Sequence, residues 1–422
     1  MKALSVSRSF PQVGRIQAKY TRLIPEEMKG MPGVWCWGRG THCNYGMPRE
    51  NIALEQAHKL KFLRDKEDKP QKWKKIYSNG QNTWGIKEDG TIWSMLGSNF
   101  FCEMTGSREQ KSYLYNDTDG WPKQYGLGGG WETAEIGTRW SFAVDVFGTY
   151  ATGYNNNYEL GAGQSGGIKT DFTKISDISF KQVASMYATY YYSGNHAFGV
   201  SKGGFLYGWG YDQYGKMGLG QQNPQYVYTP KLIPYIAGVD QAKVSLDGSM
   251  VLSHGDLYAV GRTRSAAFGT GDINVQFWDW TRILEDVKKI IVYGNASAVM
   301  KNDGSIWGCG DARTGILHGS GSGPANYMIE WQPLSDITDW SDLIGGIEGL
   351  MGIRKDGSIY GWGLGNNGVW KKYRSSGGAE YALLDTSKTP FEADEGEPPL
   401  PKKWKEFVCQ SVATTVYIRG EE

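Results

Sequence analysis

The chain has 422 residues and a formal net charge of +1, with 59 glycines, 17 tryptophans and 26 tyrosines. So small a net charge excludes a bulk electrostatic preference for nucleic acid or anionic lipid, and no stretch stays apolar for the roughly eighteen residues a membrane helix requires. Abundant glycine and aromatic residues with little helical periodicity point to many short strands joined by turns.

Residues 1–30 hold Lys2, Arg8, Arg15, Lys19, Arg22 and Lys29 against Glu26 and Glu27. They lack the apolar core of a secretory leader. Pro11 and Pro25 oppose a single long helix, so this stretch is expected to be an extended basic arm. Either it frays, or it orders on a neighbouring subunit. Gly33-Val-Trp-Cys-Trp-Gly38 then reads as a strand. From about 48 to 69 the residues Ile52, Leu54, Ala57, Leu60 and Leu63 fall among charges, which predicts a helical insertion.

From Trp73 onward a unit recurs. An aromatic residue or Val has an apolar residue three positions on, as in Trp73/Ile76, Phe180/Val183, Val287/Ile290 and Trp340/Leu343. An apolar segment follows, then a turn. Three turns are near copies: Lys87-Glu-Asp-Gly-Thr-Ile-Trp93, Lys301-Asn-Asp-Gly-Ser-Ile-Trp307 and Arg354-Lys-Asp-Gly-Ser-Ile-Tyr360. Asp-Gly between apolar runs marks a tight hairpin, because Gly reaches positive φ without strain. The strand after the turn opens on an aromatic residue in seven copies: Trp35, Trp93, Tyr150, Tyr207, Tyr258, Trp307 and Tyr360, spaced 49 to 58 residues apart. Each unit therefore reads strand, turn, strand, turn, strand, loop. Loop insertions are expected at about 97–131 and 371–403, the latter containing the acidic run Glu392-Ala-Asp-Glu-Gly-Glu397. A tyrosine-rich insertion, Met186-Tyr-Ala-Thr-Tyr-Tyr-Tyr192, lengthens one copy.

The chain ends complement each other. The Trp35 copy has no upstream half, and the last segment, Trp404-Lys-Glu-Phe-Val followed by Thr415-Val-Tyr-Ile418, has no downstream half. Joined, they complete one unit and remove the free sheet edges. The expectation is an all-β, seven-bladed β-propeller over 31–422, closed by pairing of the N- and C-terminal strands.

The best copy, Phe205-Leu-Tyr-Gly-Trp-Gly-Tyr-Asp-Gln-Tyr-Gly-Lys-Met-Gly-Leu-Gly220, resembles the regulator of chromosome condensation repeat, and Ser358-Ile-Tyr-Gly-Trp-Gly363 follows closely. The resemblance covers roughly 33–420 and implies the seven-bladed fold. It does not fix function, because that fold hosts guanine-nucleotide exchange, ubiquitin-ligase accessory modules, enzyme inhibitors and virion proteins.

No catalytic, cofactor-binding or metal constellation is legible. His42, His58, His196, His254 and His318 lack metal-ligand spacing, and there is no phosphate-binding loop or nucleophile elbow. The five cysteines (Cys36, Cys43, Cys102, Cys309, Cys409) include no C-x-x-C pair and read as reduced thiols. His196 is expected to be a hydrogen-bonded structural residue. Asp89, Asp303 and Asp356 are expected to form turns, since sugar-binding Asp boxes place Asp and Gly one residue further apart. The partner-binding candidates are Arg8, Arg15, Lys19 and Arg22 in the arm and Tyr187, Tyr190, Tyr191 and Tyr192 in the insertion, where rigid rings with polar tips suit recognition.

The expected function is non-enzymatic: a structural, protein-binding propeller, without cofactor, of a tailed-bacteriophage virion (baseplate, tail or capsid surface). Its partners would be other subunits, with a host-surface receptor or glycan as a further class, and neither membrane insertion nor specific nucleic-acid binding is expected. Its place would be the virion, or otherwise the cytoplasm. Two alternatives stand beside it: a guanine-nucleotide exchange factor or regulatory partner of a small GTPase, and a glycan-binding or glycan-active propeller.

Overall fold

In the computed structural model the chain folds into seven antiparallel sheets of four strands each. The structure describes residues 33–38, 61–65, 67, 69–78, 83–94, 123–124, 129–137, 140–186, 196–220, 226–293, 295–312, 317, 326–346, 349–363, 380–385, 400–409 and 415–421. We number the sheets as blades 1 to 7. Their innermost strands are Lys403–Phe407, Trp73–Ser78, Trp131–Ile136, Phe180–Ser185, Val239–Val244, Val287–Tyr293 and Trp340–Gly346. Neighbouring innermost strands pack side by side around a common axis.

Blade 1 is built from both ends of the chain. Outward from the axis it runs Lys403–Phe407, Thr415–Glu421, Val34–Gly38 and Lys61–Phe62. Trp35 lies opposite Ile418 and Cys36 opposite Tyr417. The seam to blade 2 is tied near the axis: the Ile76 amide donates to Val408 O at 3.1 Å, and Arg419 Nη2 donates to Trp73 O at 2.8 Å.

The outermost strands correct the three-strand unit expected from sequence. Lys61–Phe62 lies at the end of the stretch expected to be helical. It is strand instead, because pairing with Trp35 and Cys36 and edge-on packing of Phe62 on Trp35 at 5.2 Å outweigh local pattern. Lys123–Gln124 and Glu380–Asp385 are outermost strands within the stretches expected to be loops. Residues 48–60 and the arm at 1–30 lie outside the described residues.

The Asp-Gly turns form as expected and also explain why glycine is required. Asp89 Oδ1 accepts from Thr91 N at 2.9 Å and Thr91 Oγ1 at 2.6 Å, and Asp303 with Ser305 and Asp356 with Ser358 repeat this arrangement. These bonds hold all three carboxyls below the usual range. Each turn also abuts the next blade. Gly90 O accepts from Trp131 N at 2.9 Å, and Gly357 O from Trp404 N at 3.1 Å. Gly90 has φ 78°, and a Cβ there would stand 2.7 Å from Gly130 N. Turn and blade contact together exclude any larger residue.

Aromatic rings face small residues both within and between blades. Trp340 fills the space over Gly352 in blade 7, whereas Trp209 of blade 4 covers Gly161 after the third strand of blade 3, and Trp280 of blade 5 covers Gly218 of blade 4. Trp37, Trp73, Trp84, Trp209 and Trp340 are fully buried, and each such side chain contributes roughly 2–3 kcal/mol by removal from water.

All seven innermost strands carry a register shift within their first two residues, at Trp73/Lys75, Trp131/Thr133, Phe180/Gln182, Val239/Gln241, Val287/Lys289, Trp340/Asp342 and Trp404/Glu406. A bulge re-aims the side chain that follows it. In blades 4, 5 and 7 that side chain reaches the main chain of the next blade. Gln182 bonds Ala242, Gln241 bonds Lys288 O and Ile290 N, and Asp342 accepts from Phe407 N. Amides on the axial edge of the sheets are thereby satisfied.

Candidate functional site

The loops at one end of blades 4, 5 and 6 enclose a cleft of about 410 Å³, lined by Gln213, Tyr214, Ser245, Leu246, Asp247, Arg262, Arg264, Ser265 and Asn295, among others. Its walls come from two kinds of connection. Ser245, Leu246 and Asp247 form the turn between the innermost and second strands of blade 5 (Val239–Val244 and Gly248–Ser253). Tyr214 and Arg264 follow the third strands of blades 4 and 5 (Leu206–Tyr211 and Asp256–Thr263), and Arg262 lies near the end of the latter.

Tyr214 is held in a left-handed conformation at φ 67°, unusual for a residue with a side chain. Gly215 follows, also left-handed, and the Trp278 ring covers it closely enough to exclude a Cβ. Gln276 Nε2 donates to Tyr214 O at 3.4 Å. So placed, the Tyr214 ring lies 3.3 Å from the Arg262 guanidinium carbon. On its other side Arg262 Nη2 donates to Asp247 Oδ2 at 2.8 Å. Burial works against the Arg262 charge, but the bonds to Asp247 and Tyr214 outweigh it and raise its pKa. Stacking plus an ion pair fixes this guanidinium in one orientation.

A polar layer lies beneath. Lys216 is fully buried, and its Nζ donates to Leu246 O at 3.4 Å. Burial lowers its amine to about 8, against the pull of Asp247 and Asp212. Burial raises the Asp212 carboxyl to about 6, although it accepts from Met217 N at 2.8 Å. His196, also buried, shares a 2.8 Å hydrogen bond between Nε2 and Ser249 Oγ. Burial and then the nearby Lys216 charge push its imidazole well below the usual value. His196 thus holds blade 4 to blade 5, the structural role expected of it.

A second group of charges surrounds the axis. Lys289 Nζ bonds Asp342 Oδ1 at 2.6 Å, joining blades 6 and 7. Glu135 Oε1 accepts from Ser185 N at 3.2 Å. Burial raises the Glu135 carboxyl to about 7, with Lys243 opposing, and burial makes the Lys243 amine easier to deprotonate. Among the described residues no group of three or more side chains is arranged to hold a metal ion. Burial raises the thiols of Cys309 and Cys409, the latter to about 12.

The sequence candidates Arg8, Arg15, Lys19, Arg22, Tyr187, Tyr190, Tyr191 and Tyr192 all lie outside the described residues. The tyrosine insertion leaves blade 4 after Met186 and returns at His196, so it joins the innermost and second strands, as the Ser245–Asp247 turn does in blade 5. The cleft residues themselves escaped sequence reasoning. Tyr214 and Arg262 belong to different repeats and meet only when blades 4 and 5 pack. The one available signal was the side-chain-rich Arg262-Thr-Arg-Ser265, which replaces the usual residues after a closing glycine.

Comparison with known proteins agrees with this architecture. Residues 203–252 match the regulator of chromosome condensation (RCC1) repeat. The E3 ubiquitin-protein ligase HERC2 of Mus musculus is 28% identical over 236 residues, which cover 53% of this chain and 5% of HERC2, so the chain corresponds to a small part of that protein. Among solved structures, Prp20p of Saccharomyces cerevisiae superposes with a TM-score of 0.66 at 14% identity, covering 94% of this chain and 93% of that one. Human WBSCR16 gives 0.67 at 16% identity, covering 93% and 99%. At these identities the structural likeness establishes the fold.

Proposed function

From a chain that carries the regulator of chromosome condensation repeat on a seven-bladed propeller, we propose a protein-binding function in which partners dock on the face holding the Tyr214–Arg262 cleft. The observation that carries this reading is the fixed Arg262 guanidinium, held between a ring and a carboxylate at the mouth of a cleft. Such pre-organised Tyr and Arg side chains suit recognition at low entropic cost.

Within protein binding, guanine-nucleotide exchange or another regulatory contact with a small GTPase has better support than assembly into a virion. The repeat's resemblance implies exchange as one family activity, and the Prp20p structure was described together with binding to Gsp1p and histones. None of the relatives named above is a virion protein, so the bacteriophage reading rests on the character of the repeat alone. The experiment is to measure release of a fluorescent guanine nucleotide from purified small GTPases with and without the protein, and to map hydrogen-exchange protection in the complex. Faster release with protection at 213–215, 245–247 and 262–265 supports the reading. Protection confined to the Asp-Gly turn face overturns the cleft as the docking face. Absence of both binding and release for every GTPase removes the exchange reading, and copurification with assembled phage particles would restore the virion reading.

A further inference from the structure

Resting on the reading of this cleft as partner-facing, we propose that it grips an oxyanion carried by the partner, a carboxylate or a phosphate, with Arg264 as the gripping residue. Two guanidiniums, Arg262 and Arg264, line the cleft against one carboxylate, Asp247. Arg262 is already committed to Asp247 and Tyr214. Arg264 is exposed and makes no hydrogen bond or ion pair among the described residues. Its planar fork of donors matches a carboxylate or phosphate with two parallel bonds.

Two further observations favour an anion over a cation or an apolar group. The side-chain amides of Gln213 and Asn295, at the same cleft, bond to nothing among the described residues and can donate as well. Beneath the floor the Lys216 ammonium is balanced by the Asp212 carboxylate, so the excess of two guanidiniums over the Asp247 carboxylate at the cleft stands. The volume of about 410 Å³ has room for one long side chain with its flanking backbone.

The test uses the whole chain and three fluorescein-labelled peptides followed by fluorescence polarisation: hexaglutamate, hexaglutamine, and a neutral peptide bearing one phosphoserine. The expected result is binding of hexaglutamate that weakens as salt rises, with hexaglutamine not bound. Arg264→Ala should weaken binding by about tenfold or more. Arg264→Lys, which keeps the charge without the fork, should lose part of that affinity. Lys355→Ala, on the opposite face, should change nothing. Arg264 is exposed, so its variants should unfold at the wild-type temperature, and that is measured alongside.

Equal binding of hexaglutamate and hexaglutamine, or wild-type affinity in Arg264→Ala, overturns the proposal. Binding of the phosphopeptide alone supports the oxyanion and identifies phosphate as its source. The two readings fail separately. Protein partners that dock equally well on Arg264→Ala overturn the oxyanion site and leave protein binding intact. Arg264-dependent peptide binding with no protein docking at this face does the reverse.

Discussion

The side-chain amide of Gln182 pairs with the main chain of Ala242 as another strand residue would: Nε2 donates to Ala242 O at 3.0 Å, and Oε1 accepts from Ala242 N at 3.0 Å. One glutamine of blade 4 thereby closes a residue's worth of ladder on the edge of blade 5. Gln241 does the same for Lys288 and Ile290 one blade on, at 3.0 and 3.2 Å.

Gln182→Ala should therefore destabilise the ring by about 1–3 kcal/mol, because a main-chain donor and acceptor lose their partners together. Gln182→Glu should be nearly as costly, since it retains the acceptor but sets a carboxylate against Ala242 O. Urea unfolding measures both. A shift below about 0.5 kcal/mol in Gln182→Ala would show that water replaces the clasp at no cost.

Across the blade seams Asp342 carries two loads, the Lys289 ammonium and the Phe407 amide, and it also accepts from its neighbour Leu343 N at 2.9 Å. Asp342→Ala leaves both without a partner and is expected to cost about 2–4 kcal/mol. Asp342→Asn keeps an acceptor and should cost less. The ordering Ala below Asn below wild type in thermal unfolding is the check, and the reverse order would reject the double role.

Gly357 has φ 86°, and a Cβ there would stand 2.6 Å from Lys403 Cβ in the next blade. Gly357→Ala is expected to lose about 1–3 kcal/mol from conformation alone, with the clash adding to it. Asp356→Ala at the same turn removes only exposed bonds to Ser358 and should be milder. Equal losses in the two variants would argue against the close blade approach.

Glu135 makes stability depend on pH in a defined direction. Burial raises its folded pKa to about 7 from the ordinary value of 4.5. The folded chain thus holds a proton that the unfolded chain has released between these limits. Stability at this group is full below about 4.5, declines as pH rises to 7, and is level above it. Glu135→Gln should remove that decline, so the variant gains on wild type as pH rises from 5 to 8. Parallel stability curves over this interval would assign the pH dependence elsewhere.

Much of this fold was legible because its signals are local. Asp89-Gly90 announces its turn, and the aromatic residues from Trp35 to Tyr360 count the blades. The missing upstream half at Trp35 and the missing downstream half at Trp404 foretell the shared blade. The outermost strands were not legible: Lys61–Phe62 and Lys123–Gln124 are two residues long and show no alternation. The clasps were hidden for another reason. Gln182 and Ala242 stand sixty positions apart, and neither has a neighbour in sequence that hints at the other. The cleft shares this property, since Tyr214 meets Arg262 only when blades 4 and 5 pack.

The pairing of Val34–Gly38 with Thr415–Glu421 also has a bearing on biosynthesis. As the ribosome extends the chain, the Trp35 strand emerges before blades 2 to 7, and its mate on the axial side only after them. Until then that strand carries open amides and a tryptophan in need of cover, a state that invites mispairing with another nascent copy. Closure of the ring therefore waits for the Thr415–Glu421 strand to leave the ribosome, and slow translation or a shortage of chaperones should reduce the yield of closed molecules more than their lifetime once closed.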